Sequence, residues 1–335
     1  MTHDEPEVPA MPLTRRALIA SALVASPLVA PSLAHAQAYP TKPVRIVVPY
    51  APGGAVDVVA RKVAQKLTEQ TGQSFFVENK AGGTGTIGTL QVARSAPDGY
   101  NLLAIDNTYS ILPYVFKKLP WDHASALSPI TAAVFTPVLV AVGAESPHKD
   151  LASLIAAAKA KPEGLTYSTG GQGSAPHFAT EAFQQAAGIK LTHVPYKGAG
   201  EAVLGLISGQ VDLILVSTGS AASQLRAGKM RALAVSGTKR LASLPDIPTF
   251  AEAGLPGFGV VNWSGLAAPA GTPPDVLARL QAEMAKALAS PDMREFIAGL
   301  DAEPGGLEPA AFAALIRDET ARWAPIAERA GIEKQ

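Results

Sequence analysis

The chain has 335 residues, 47% of them hydrophobic and only 17% charged, enough for two domains with large cores. Lys+Arg and Asp+Glu both total 28, and no basic run interleaved with aromatics occurs, so nucleic acid is not an expected partner. With no cysteine, the chain excludes disulfides, a thiol nucleophile, thiolate metal sites and a lipoprotein anchor.

Residues 1–38 read as an export signal. Thr14-Arg15-Arg16-Ala17-Leu18-Ile19 opens an apolar run to Ala30, and Ala34-His35-Ala36 and Ala36-Gln37-Ala38 both fit an A-x-A cleavage site. The arginine pair is twin-arginine-like, although a Sec signal with two chance arginines gives the same pattern. The run is too short for a retained membrane span. The expected mature chain starts near Gln37 or Tyr39 and is periplasmic, soluble and not a lipoprotein.

Val44–Val48 is a short β-branched run, hence a buried strand, and it stops at Pro49. A loop with Gly53 and Gly54 follows, and from Val56 the apolar residues Val59, Ala60, Val63 and Leu67 recur at helical spacing. Asp57 sits where a first-turn acid belongs. Glycines admit a ligand close to the backbone, and a helix start offers unpaired N–H groups, so this unit suits an anion, carboxylate or phosphate; an ordinary βα turn has the same pattern. Gly72 ends the helix. Ser74–Glu78 is a second strand, Asn79–Gly88 a glycine loop leading to a helix ending near Ser95, and Tyr100–Ile105 a third strand closed by the polar cluster Asp106–Ser110.

Leu127–Val142 carries strand signals around Pro137, and Asp150 caps an Ala/Leu helix. The strand–glycine loop–helix arrangement then recurs: Leu165–Thr169, Gly170–His177 and a helix Phe178–Ala187; Leu191–Val194 and a helix Glu201–Ser208; Val211–Val216, Ser217–Ser220 and a helix to Ala227. Met230–Val235 and Val260–Ala267 are further strands, and a helical region follows Pro273-Pro274. The alternation predicts an α/β protein with mainly parallel sheets, whose strand-end loops gather where ligands bind, and two such lobes make a cleft.

Some motifs point elsewhere. Gly83-x-Gly85-x-x-Gly88 matches the dinucleotide fingerprint, with Asp106 ending the next strand, but it follows the second strand and an exported protein meets no NAD pool. Ser174 and His177 lack a G-x-S-x-G elbow and a placed acid, so no catalytic residue is assigned. His123, His148, His177 and His193 form no metal-ligand spacing, and no metal or cofactor is expected. Tyr109, Phe135 and Trp263 are read as core or as cleft wall.

Several segments together resemble the Bug-type extracytoplasmic receptors of tripartite tricarboxylate transporters. They are Tyr39-Pro40-x-Lys42-Pro43, Val47–Gly54 with Asp57, Val77–Lys80 through Gly88, Ala96–Tyr100, and Gly173-Ser174-x-Pro176-His177. His193–Gly198, Gly209–Asp212, Ala227–Lys229, Leu244–Thr249, Ala251–Gly254 and Ala268–Pro273 complete the set over the whole mature chain. The resemblance implies a two-lobed Venus flytrap (type II periplasmic-binding-protein) fold with a hinge, closing over a small carboxylate, mono- or dicarboxylic and aromatic or not. Lobe 1 is expected over 39–140 plus 265–335 and lobe 2 over 141–264. The implied contacts are Ala51, Pro52, Gly53, Gly54 and Asp57, partly through ordered water, with Gly83, Thr84, Gly85 and Thr86 from the same lobe. Gly171, Gly173, Ser174, His177, Ser217, Thr218 and Gly219 come from the other. Tyr50, Asp106, Asn107 and Thr169, at neighbouring strand ends, complete the candidate set. Implied partners are the membrane permease subunits, and a monomer is expected.

Two positions depart from the family pattern: Val216 stands where many relatives are acidic, which argues against an amine-bearing ligand, and Asp106–Ser110 replaces a small Gly/Ser-rich loop. Two other classes stay open: an exported hydrolase or lyase acting on a small carboxylate, and a sensory receptor without a permease.

Overall fold

The computed structural model describes residues 1–2 and 39–335, so the expected export signal lies, save its first two residues, outside the described residues. β1 (Val44–Val48) is buried along its apolar run and feeds α1 (Ala55–Thr71). α1 buries Val59, Ala60, Val63, Ala64 and Leu67 on one stripe and ends at Gly72, which takes the left-handed conformation and donates its N–H to Thr68 O. Leu67 is fully buried, and Leu67→Ala would cost about 2–5 kcal/mol. β2 (Phe75–Asn79), a 3₁₀ turn (Gly83–Gly85), α2 (Thr86–Ala93) and β3 (Asn101–Asp106) follow. α3 (Thr108–Val115) starts inside the polar cluster expected as loop.

β4 (Leu127–Gly143) runs straight through Pro137. Beyond it come α4 (Leu151–Ala160), capped by Asp150, β5 (Thr166–Thr169), α5 (Ala175–Ala187), β6 (Thr192–Pro195), α6 (Ala199–Ile207), β7 (Leu213–Ser217), α7 (Thr218–Arg226) and β8 (Met230–Val235). The connection 236–260 is turn-rich, and β9 (Val261–Pro269), α8 (Pro274–Ala289), α9 (Pro291–Gly299), β10 (Glu303–Pro304) and α10 (Pro309–Arg329) complete the chain.

The sheet order is β2-β1-β3-β9-β4-β7-β5-β6, with β8 and β10 also on β4. Only β1–β2, β1–β3, β5–β6 and β5–β7 are parallel, and every pair made by β4 or β9 is antiparallel. The expectation of mainly parallel sheets is therefore corrected to mixed. β4 and β9 run past each other in opposite senses, and antiparallel neighbours need no crossover helix. β4 pairs with β9 from Leu127 to Pro137, then with β7 and β8 from Val138 onward. One strand thus joins both halves of the sheet, as the expected two-lobed fold requires. α10 also spans both: Phe312 and Ile316 lie in the core beside Trp263, while Trp323 and Ile326 pack with Phe178 and Phe183 under α5.

Candidate functional site

The carboxyl ends of β1, β3, β5 and β7 carry the loops predicted from the sequence, and their helix starts converge on a cavity of about 650 Å³. Its wall includes Gly54 and Ala55 at α1, Ser174 and Ala175 at α5, Ala199 at α6, and Ser217, Gly219 and Ser220 at α7. None of these four helix starts carries a side-chain cap, a property they share with every described α-helix except α4, which has a full capping box between Asp150 and Ser153. Orphan N–H groups and the positive dipole ends are thus left open toward the cavity. Among the described residues, no Lys, Arg or His lines it.

Of the predicted residues, Tyr50, Gly53, Gly54, Thr84, Asp106, Asn107, Ser174, Ser217 and Gly219 line the cavity. Gly53, at φ +86°, needs its missing side chain, while a Cβ on Gly54 would meet nothing closer than 3.9 Å. Thr84, a β-branched residue at φ 54°, is a backbone outlier on the cavity wall.

The remaining candidates stand off the wall. Asp57 is buried beneath the first loop, its Oδ2 accepting from Gly53 N (2.9 Å) and Arg61 Nε (2.9 Å) and its Oδ1 from Asn79 Nδ2 (2.8 Å). Burial alone would raise this carboxyl, but the hydrogen bonds from Arg61, Gly53 and Asn79 outweigh it and bring it to about 2. His177 is likewise buried and braces the second loop, accepting from Gly173 N at Nδ1 (3.0 Å) and stacking on His193 with ring centroids 4.1 Å apart. Burial, then the neighbouring His193, pushes His177 down to about 4, so it is neutral. Thr169 Oγ1 bridges Gly171 and His193 Nε2 below the loop, and Gly173 packs on Val115. Gly171 O accepts the Ser174 hydroxyl (2.7 Å). Thr218 turns away, its hydroxyl facing the Asp301 carbonyl at 3.4 Å. Ala51 and Pro52 are exposed on the outer side of the loop, and Gly83, Gly85 and Thr86 lie outside the wall around Thr84. Gly88 of the dinucleotide-like pattern serves packing: a Cβ there would come within 2.9 Å of Pro49 Cα.

Val56, Val58, Val59, Thr108, Val134, Thr136, Asn262, Ser264 and Leu300 were not expected in the site, although all line the cavity, as do Pro176 of the second loop and Val216. Trp263 is cleft wall, its Nε1 donating to Glu319 Oε2 (2.5 Å), while Tyr109 stacks on His123 (4.2 Å) and Phe135 packs in the core beside Trp263. Burial raises Glu319 to about 7. No group of three or more metal-binding side chains occurs among the described residues, and no helix among them is long and apolar enough to cross a membrane.

The family model for the tripartite tricarboxylate transporter family receptor matches residues 59–332. Protein BugT of Bordetella pertussis is 33% identical over 302 residues, covering 88% of this chain and 91% of BugT. The solved structure of a Rhodopseudomonas palustris protein with adipate is similar at TM-score 0.79 and 34% identity, covering 89% of this chain and all of the other. MatC of Rhodopseudomonas palustris, with bound malate, gives TM-score 0.75 at 32% identity, over 86% of this chain and 100% of MatC.

Proposed function

Since this chain belongs to the tripartite tricarboxylate transporter receptor family, as a Bug-type receptor, we propose that its cavity captures a small organic carboxylate for delivery to a membrane permease. The observation that carries this is the set of four uncapped helix starts facing a cavity whose wall has no cation. At up to ~2 kcal/mol each, they supply at most about 8 kcal/mol of attraction, the size of a micromolar binding free energy, without an arginine. The adipate and malate of the two relatives are the ligand class this geometry suits.

The protein acts by binding, not turnover. Ser174 gives its proton to Gly171 O, and His177 Nδ1 is occupied by Gly173 N–H, so no nucleophile–base pair faces the cavity among these residues. The same reading makes it an exported, periplasmic monomer without a lipid anchor. The lobes are residues 39–140 plus 265–335 and residues 141–264, hinged where β4 and β9 cross. The change of partners along β4 supports two lobes but falls at Pro137–Val138, just before that boundary. Asn262–Ser264 still pair within the first sheet, and the C-terminal half of α10 packs on the second lobe's core. The ligand contacts are the cavity-lining residues of both loops, with the braces beneath them holding their shape.

A carboxylate panel tests the proposal. Thermal shift and calorimetry should find a binder, and mass spectrometry should recover it unchanged. Conversion of the acid would point to an enzyme, and no binding by any acid would sink the receptor reading.

A further inference from the structure

One side chain on the cavity wall has the charge that the helix starts disfavour. Asp106 is the sole carboxyl among the lining residues, and no cation among them offsets it. It ends β3 immediately before α3, and its Oδ1 accepts Tyr50 OH (2.7 Å) and Thr108 N (3.2 Å). Its Oδ2 has only the Thr108 hydroxyl at 3.3 Å, a long contact for O–H···O. A carboxylate has about four acceptor sites, so Asp106 keeps acceptor capacity for a donor arriving from the cavity. The consequences appear on both sides of the wall. The α3 start spends an N–H on Asp106, whereas the starts of α1, α5, α6 and α7 remain open. Behind the wall a second carboxyl, Glu319, is held by the Trp263 indole, and burial keeps Asp106 near 6 despite the bonds from Tyr50 and Thr108. The cavity is therefore polarised: one part seeks a negative group and the part at Asp106 seeks a donor. A second ionised carboxylate at Asp106 would meet a like charge in a desolvated place. The strand end at Val216, which also lines the cavity, offers no competing acid.

We propose that the preferred ligand is a carboxylate that also carries a hydroxyl or ammonium group, and that Asp106 is the specificity-determining residue that accepts a hydrogen bond from that donor. The ligand's carboxylate then lies at the open helix starts, and its apolar skeleton runs along Val56, Val59, Val134 and Trp263. This rests on the carboxylate-receptor reading.

Calorimetry with ligand-free protein tests it through matched acids: succinate against malate and aspartate, adipate against 3-hydroxyadipate, and benzoate against 4-hydroxybenzoate. The tightest binder should carry a donor and exceed its unsubstituted partner by about tenfold or more, the worth of one hydrogen bond to a charged group. The hydroxyl and amine arms identify which donor is used. Asp106→Ala should bring the ratio toward one. Asp106→Asn, which can still accept from Tyr50 and Thr108, should abolish an ammonium preference even if the alanine variant fails to fold. If unsubstituted acids bind as tightly as their donor-bearing partners, the proposal for Asp106 is overturned while the carboxylate reading stands. If no carboxylate binds, both fall.

Discussion

The loop Ala51–Asp57 and the loop Gly171–His177 share one device and differ in its chemistry. In each, a glycine with positive φ donates its N–H to the side chain four residues on, in the first turn of the next helix: Gly53 to Asp57 Oδ2, Gly173 to His177 Nδ1. In the first loop the acceptor is a carboxylate also held by Arg61 and Asn79, and the glycines above it are exposed with room around them. In the second the acceptor is a neutral imidazole, and the surrounding groups are tied down by Thr169, Ser174 and Val115. The first loop is an open seat on a charged support; the second is a closed frame on an uncharged one. The same sequence pattern therefore says that a helix start is free, but not which atoms a ligand will meet.

The difference can be broken most severely at the seat. Gly54→Val adds its bulk where the backbone is unstrained (φ −75°) and nothing lies within 3.9 Å, so the melting temperature should hold. Carboxylate binding should fall by about 100-fold or more, as two or three donors at 1–3 kcal/mol each are covered. At the frame the expectation reverses. His177→Ala leaves the Gly173 N–H buried without a partner and should cost about 1–3 kcal/mol of stability in denaturant melts, with a smaller loss of affinity.

Acidity should separate the two supports. The His177 value falls from 6.5 unfolded to about 4 folded, so the unfolded chain takes up the proton first. Its stability contribution is intact above pH 6.5 and declines as pH falls toward 4. Asp57 has a folded value lowered from 3.8 to about 2, so its contribution holds above pH 3.8 and is lost as pH falls through 2. Amide exchange between pH 6.5 and 4 should therefore show Gly173 losing protection before Gly53. Equal behaviour of the two amides would mean that the supports are equivalent.

Much of this was legible in the residues. The β-branched run before Pro49, the stripe Val59–Leu67, Gly72 and the Asp150 cap are local signals, and each marks the element found. Where a side chain points across the cavity is not local. Asp57 and His177 reach back under their own loops, which no spacing rule separates from reaching outward. Val56 and Val59 read as a helical core stripe, and they pack with that core while also lining the cavity, beside the exposed Val58. α3 was hidden by its start in Asp106–Ser110 and by Pro113 inside it. The antiparallel pairs of β4 and β9 depend on which lobe each end joins, a long-range property.

The smallest effects sharpen the contrast. Ser174→Ala should cost only about 0.5–1.5 kcal/mol of binding by calorimetry, since the hydroxyl proton is already committed to Gly171 O. Lys197→Met should change affinity by no more than about 0.5 kcal/mol, because the lysine is exposed and absent from the wall.

The central claim is that backbone N–H groups at helix starts, not a cationic side chain, hold the carboxylate. Amide chemical shifts of labelled protein, titrated with the best-binding acid of the panel, test it most directly. Ala55, Val56, Ala175, Thr218 and Gly219 should show the largest downfield movements, saturating together with the calorimetric isotherm. Shifts centred on a lysine or arginine side chain, with these amides unmoved, would contradict it.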